Sequence, residues 1–298
     1  MLGVRPMRID IAEIAELVER TPGIYRRPDR IDVSREITNL RNKLQSTIDS
    51  NLQPWFVLLD ESIQVFFLLE RFMFRQQLLN NEVPFAIQCS KIKRDLVSIR
   101  ELIAIGQDIC AAVLVRTFLE DLEIAMVVAL DKGMSESYKT TNSQTDFWNK
   151  YVGYGRVYDH ISKYLSASGA QEVEINETIA RHKEMKRFCS DCTHGGMMSS
   201  LRSAFTPSLT DSDEVHHQSL GAISPDARFI CLTVSEECRV FAGTLVNHLT
   251  RDTKLHVYAR FTLDDKLFDV FSSAYVLQEL IKRHGKKLLN AKDNNVQI

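Results

Sequence analysis

Ile109-Cys110-Ala111-Ala112-Val113-Leu114-Val115-Arg116-Thr117-Phe118-Leu119-Glu120-Asp121-Leu122-Glu123-Ile124-Ala125-Met126 is the stretch whose reading decides the fold. Its apolar positions (Val113, Leu114, Val115, Phe118, Leu122, Ile124, Ala125, Met126) run almost all round a helix, the signature of an element buried on most sides. Asp108 before it and Gly133 after it read as start and stop signals, bounding a central helix at Ile109–Lys132.

The surroundings repeat the message. From Phe85 to Thr206 the chain contains no proline, the strongest helix breaker. Glycines mark the joints instead: Gly106, Gly133, Gly153 with Gly155, Gly169, and Gly195 with Gly196. Helices are therefore expected at Ile11–Arg20, Ser34–Ser50, Trp55–Leu79, Phe85–Ile105, Ser143–Leu165, Glu172–Thr193, Pro225–Leu249 and Asp264–His284. Pro54, Pro84 and Pro225 stand at helix starts, where a missing N–H costs nothing. Lys254–Phe261 alternates apolar and polar residues without an evident partner, so it reads as extended loop.

The whole chain has 298 residues, only 12 of them glycine and 7 proline. That is about half of the usual combined share of about 12%. Sandwiches and barrels need many turns, so this scarcity favours an all-α fold, a multi-helix bundle. Residues 1–52 read as a helical arm or cap, 53–202 as the core, 203–224 as a flexible loop rich in Ser, Thr, Pro and Asp, and 225–298 as C-terminal helices packing on the core. Hydrophobic residues are 44% and charged residues 26%, ordinary for a folded chain.

With 37 Lys+Arg against 39 Asp+Glu the net charge is -2, so no overall basic excess draws the chain to nucleic acid. Apolar runs such as Ile124–Leu130 and Val65–Leu69 fall far short of the ~20 residues that span a bilayer. No signal-peptide core follows Met1, and a cytoplasmic protein without membrane contact is expected. Six cysteines lie mostly in helical patterns beside apolar neighbours and read as small core residues.

Two constellations carry chemistry. Arg116, Glu120 and Glu123 fall at i, i+4 and i+7, one charged face on an otherwise apolar helix. Such a face must meet partners or line a wet cleft, because an unpaired buried charge costs several kcal/mol. Near the end of a later helix stands Arg187-Phe188-Cys189-Ser190-Asp191-Cys192-Thr193-His194. Arg187 and His194 are two turns apart and share a face with Ser190 and Asp191 between them. A helix C-terminus and a nearby carboxylate both favour the protonated imidazole. Such an Arg/His pair can stabilise phosphate charge and move a proton at one phosphodiester. The bland alternatives are an Arg187–Asp191 surface ion pair, or a structural network in which Arg116, Glu120 and Glu123 pair with Arg187 and His194.

Arg187…His194, an Arg-x6-His pattern on a late helix, resembles the Arg-x4-6-His signature of the HEPN superfamily of all-helical domains. Arg116-x3-Glu120, and Arg187-x2-Ser190-x3-His194, resemble two segments of a large bacterial HEPN-like family. The similarity spans Phe85 to Gly196. It implies a HEPN-like helical core and a metal-independent endoribonuclease, acting as a homodimer with two Arg/His pairs in one site, in a prokaryotic toxin or anti-phage defence system. Arg187 would then hold the scissile phosphate and His194 would serve as acid or base. RNA is the implied substrate, a protein from the same system a further partner, and no cofactor or metal is implied. Phe188 departs from the pattern, since active members often carry a polar residue there. The other reading is a non-catalytic helical sensor or scaffold subunit that binds a partner protein or nucleotide.

Weaker candidates remain. Cys189-x2-Cys192-x-His194, with His182 or His216-His217, offers soft metal ligands, but one Cys pair on a helix lacks the turns that structural zinc uses. Lys282, Arg283, Lys286, Lys287 and Lys292 form a basic tail able to touch phosphate. Trp55, Phe56, Phe66, Phe67, Phe72 and Phe74 read as core or as an oligomer interface.

Overall fold

The computed structural model describes residues 20, 33–76, 78–141, 143–193, 205–207, 215–217, 221–250, 255 and 265–290. The chain divides into two compact units, residues 1–39 and 40–298. The expected helix at Ile11–Arg20 lies outside the described residues, apart from Arg20, and so does the Lys254–Phe261 segment apart from Leu255.

All-α describes the second unit. Helix α1 (Val33–Thr47) enters it and passes through a π-helical turn, Ile48–Leu52, into α2 (Gln53–Met73). Then follow α3 (Val83–Ala104), α4 (Asp108–Leu130), α5 (Lys132–Thr140), α6 (Gln144–Phe147), α7 (Val157–Ala167), α8 (Glu172–Thr193), α9 (Pro225–Thr250) and α10 (Asp265–Asn290). Pro54 and Pro84 do sit in the first turns of α2 and α3. Two three-residue strands, β1 (Phe205–Pro207) and β2 (Val215–His217), pair antiparallel inside the stretch read as a loop.

Helix α4 is the hub and packs against α3, α5, α7, α8 and α9. Ala111, Ala112, Val115, Phe118, Leu119, Leu122 and Ala125 are fully buried along it, which is what its near-continuous apolar circumference requires. A second axis is α2, flanked by α3, α9 and α10. Phe66 of α2, Phe85 of α3 and Phe241 of α9 meet there, with ring centroids 5.3 Å and 6.2 Å from Phe241. Of the aromatic cluster, Trp55, Phe56, Phe66 and Phe72 are core, while Phe67 and Phe74 are exposed. The stretch Ser34–Met73 contains an 18-residue window apolar enough to cross a membrane by length and composition alone, and half of that window is buried. All six cysteines are unbridged thiols, buried except Cys110.

Several boundaries differ from the sequence reading. Asp108 does not cap its own helix. Its Oδ2 accepts the Ser224 backbone N–H at 2.7 Å and so ties the start of α9 to the start of α4. Alongside, Gly106 (φ 71°) passes so close to Ala222 that a Cβ would lie 2.7 Å from that residue's nitrogen. The Ala222 N–H donates to the Gly106 carbonyl at 3.0 Å. At the other end α4 stops at Leu130, because Asp131 turns extended and accepts the Met134 N–H, opening α5 with Gly133 inside it. The expected helix Ser143–Leu165 is broken into α6, a π-helical turn (Trp148–Val152), a 3-10 turn (Gly153–Gly155) and α7. Tyr154 (φ 57°) and Gly155 (φ 81°) are both left-handed there, at a cost of about 1–2 kcal/mol for the tyrosine. The last helix also runs past its expected end at His284, with Gly285 inside it, to Asn290.

Burial pushes the Asp108 carboxyl up to about 7, against the opposing effect of the Ser224 amide. Between the unfolded value near 3.9 and that value, the folded chain holds a proton that the unfolded chain has released. This group's contribution to stability therefore declines as pH rises through that window. Asp108→Asn, which keeps the acceptor without the charge, is expected to flatten the decline; urea denaturation at several pH values between 4 and 8 checks it.

Candidate functional site

The charged face of α4 meets a matching face of α8, and the two run antiparallel. On α8 the polar residues His182, Lys186 and Ser190 are four apart and so stack along one side. Glu123 lies opposite His182 and Lys186, and Arg116 lies one to two turns away opposite Ser190. The Arg116 guanidinium donates to Glu120 Oε1 (2.8 Å), to the Lys186 carbonyl (3.2 Å) and to Ser190 Oγ (2.7 Å). Ser190 in turn donates to the Lys186 carbonyl at 2.8 Å. These contacts hold the last turns of α8 on the middle of α4.

Deeper in, His182 is clamped between two carboxylates. Its Nε2 lies 3.0 Å from Glu123 Oε1 and its Nδ1 lies 3.1 Å from Glu237 Oε2 on α9. All three side chains are buried. Lys186 Nζ closes one end, 2.9 Å from both Glu123 oxygens, and Arg181 Nε closes the other, 3.1 Å from Glu237 Oε1. Arg181 also faces Glu236 at 3.7 Å, and Glu236 takes two 2.7 Å hydrogen bonds from Arg239. The result is an alternating chain, Lys186–Glu123–His182–Glu237–Arg181–Glu236–Arg239, that crosses three helices.

Alternation is what makes the burial affordable. Burial alone would lower the His182 pKa; the carboxylates of Glu237 and Glu123 overcome it and push it up to about 9, so the ring is an imidazolium with both N–H groups donating. Burial would raise Glu123, but His182 and then Lys186 hold it below the usual carboxylate range. Glu237 is held low in the same way, by His182 and Arg181 against burial. The edge of the Tyr158 ring on α7 faces His182, with centroids 6.5 Å apart.

Arg187 stands apart from this arrangement. It is exposed, and among the described residues it makes no hydrogen bond or ion pair. Asp191 is exposed too and does not pair with it. The next residue, Phe188, packs edge-on against Phe229 of α9 at 5.2 Å, which gives the apolar residue at that position a packing role. His194 lies outside the described residues. The structure thus brings Arg116, Glu120, Glu123 and Ser190 together around α8, and leaves Arg187 and Asp191 facing solvent. The two charged faces do pair, through His182 and Lys186 rather than through Arg187.

Sequence reasoning missed Lys186, Arg181 and Glu237, and weighed His182 only as a metal ligand. The signal was the four-residue spacing of His182, Lys186 and Ser190, which matches Arg116, Glu120 and Glu123 in length and complements it in charge. Cys189 and Cys192 are buried on α8, and no group of three or more His, Cys, Asp or Glu able to hold a metal occurs among the described residues. In the basic tail, Lys282 and Arg283 lie 3.5 Å and 3.4 Å from Glu279, while Lys292 is outside the described residues. Compared with known proteins, the chain matches no family model, no curated protein and no solved structure.

Removing His182 leaves Glu123 and Glu237 facing each other in a dry interior. His182→Ala is expected to cost about 3–5 kcal/mol in urea denaturation near pH 6.5. The histidine's folded pKa is raised, so its stabilisation is complete below the unfolded value near 6.5 and is lost as pH rises through about 9. The gap between wild type and variant should therefore narrow over that window. A gap that stays constant would mean that the ring is neutral.

Proposed function

We propose that this chain is a metal-independent endoribonuclease-type effector of a prokaryotic toxin or anti-phage defence system, acting as a homodimer. The observation that carries this reading is the division of labour along α8. Arg181, His182 and Lys186 are each committed to carboxylates, whereas Arg187, the very next residue, is exposed and without an ionic partner among the described residues. An exposed guanidinium without an ion pair among the described residues is available for a phosphate, which it can take in a bidentate grip.

The chemistry asked of the site is modest. Arg187 binds the non-bridging oxygens of the scissile phosphate and stabilises the charge that builds there. A ribose 2′-OH attacks the phosphorus while His194 accepts its proton or delivers one to the leaving 5′ oxygen. Two chains related by a two-fold axis would supply one His194 for each task, which is the role of the homodimer in the resemblance to HEPN domains. A HEPN-like assignment of the helical core and a protein partner from the same system belong to this proposal.

A second reading has its own support. Arg116, Glu120 and Glu123, the conspicuous charges of the hub helix, are already satisfied by α8. A helical sensor or scaffold subunit that binds a partner protein or nucleotide needs no more than that.

Cleavage of a mixed structured RNA in EDTA separates the two. Wild type is expected to cut. Arg187→Ala and His194→Ala should each lose about 100-fold or more. Arg187→Ala should keep its thermal stability, because the exposed side chain makes no hydrogen bond or ion pair among the described residues. Native mass spectrometry should show a dimer. A folded wild type that leaves RNA intact would sink the nuclease and leave the scaffold reading.

A further inference from the structure

The break between α6 and α7 carries an aromatic surface that reaches solvent at its tip. Phe147 is its buried root, packed against Tyr138 (4.9 Å) and Tyr151 (4.8 Å). Trp148 follows, and its ring lies where a Cβ on Gly153 would be, 2.5 Å from one ring carbon. Glycine at 153 is therefore what lets the indole lie against the backbone. At the tip Tyr154 is 82% exposed, in the left-handed conformation that side chains avoid, with its ring 5.9 Å from that of Trp148. A ring this exposed, held in an unfavourable backbone conformation, is poorly explained by stability.

Cations accompany the rings. The Arg156 guanidinium lies 5.5 Å from the Tyr154 ring centre, Lys150 Nζ 4.8 Å from Tyr151, and Lys183 Nζ 4.5 Å from Tyr158. Lys150, Arg156 and Lys183 are all exposed. Lys183 stands one helical turn before Arg187 on α8, so the series Tyr154, Tyr158, Lys183 leads to the unpaired guanidinium. The opposing charges within this segment are the exposed Asp146 and Asp159, and Glu184 lies beside Lys183.

We infer that the surface formed by Trp148, Tyr154, Arg156, Tyr158 and Lys183 binds an unpaired nucleic-acid strand, with a base stacked on Tyr154 and phosphates on the neighbouring cations. Interleaved rings and cations suit a single strand. Every unpaired base offers a π-face that an exposed ring can stack on, and the phosphates beside it answer the lysines and arginine. A duplex hides its base faces and offers only the charge. A protein partner would use the exposed ring but has no need of a cation beside each of three rings. The strand would run along α7 towards Arg187. The inference goes beyond the proposed nuclease and does not depend on it, because stacking at Tyr154 requires no cleavage.

The test is fluorescence anisotropy in EDTA with a short labelled mixed-sequence RNA, the same sequence as single-stranded DNA, and the RNA as a blunt duplex. Wild type is expected to bind the single strands, more weakly as salt rises, and to bind the duplex at least about tenfold less tightly. The RNA and DNA arms tell which sugar is preferred. Tyr154→Ala should weaken single-strand binding about tenfold, the loss of one stacked base, and Tyr154→Phe should restore it. Tyr154→Gly should bind as poorly as alanine while melting at or above the wild-type temperature, since glycine accepts the left-handed backbone. A wild type that binds no strand, equal binding of duplex and single strand, or Tyr154→Ala binding like wild type would each overturn the inference. Arg187→Ala and His194→Ala should abolish cutting yet retain the Tyr154-dependent binding. Binding without cutting in wild type would end the nuclease reading and leave this surface standing.

Discussion

The imidazolium of His182 between Glu123 and Glu237 is the contact on which the arrangement of helices depends. Two carboxylates from different helices would repel each other in a dry interior, and one ring with two opposed N–H groups turns that repulsion into a clamp. Because an imidazolium offers donors on opposite edges, it joins α4 and α9 through α8 in a single step. Lys186 and Arg181 then continue the alternation outward, so that the most buried charges have opposite neighbours on both sides. Such a network is a demanding way to join helices. It tolerates only one register, whereas an apolar seam would accept several.

That register sets what the rest of α8 can do. With His182, Lys186 and Ser190 committed to α4, the opposite side of the helix turns Lys183 and Arg187 to solvent. Phe188 is drawn the other way, onto Phe229. The far ends of the same helices are held by a different device. There the Gly106–Ala222 crossing and the Asp108 carboxyl fix where α9 begins, and hence where Glu237 arrives. Small residues at the crossing and a charged chain in the middle are two parts of one positioning problem.

The left-handed turn at Tyr154 has the opposite character. It joins the π-helical turn to α7, with Gly153 and Gly155 on either side of the tyrosine. It costs backbone energy and presents a ring to water. Structural economy accounts for the clamp and the crossing, and it does not account for this turn. For that reason the turn, rather than the conspicuous charges of the hub helix, carries the inference about a bound strand.

Periodicity and the scarcity of proline and glycine were enough to read the all-α class, and apolar residues on every side of Ile109–Met126 were enough to mark the hub. These are local properties, since a helix that is apolar all round must be buried whatever surrounds it. Helix ends were less legible. Gly133 read as a stop and lies inside a helix, because Asp131 supplies a better boundary, and α10 runs on through Gly285 beyond its expected end at His284. The site was half legible: Arg116, Glu120 and Glu123 announced a charged face that needed partners, yet the partners stood about 60 to 75 residues away on α8. Charge pairing depends on the register between helices, which is set by packing among many residues at once. Sequence spacing alone determined which charges share a face; only the tertiary structure decided that His182 and Lys186 are consumed by that face and that Arg187 is not.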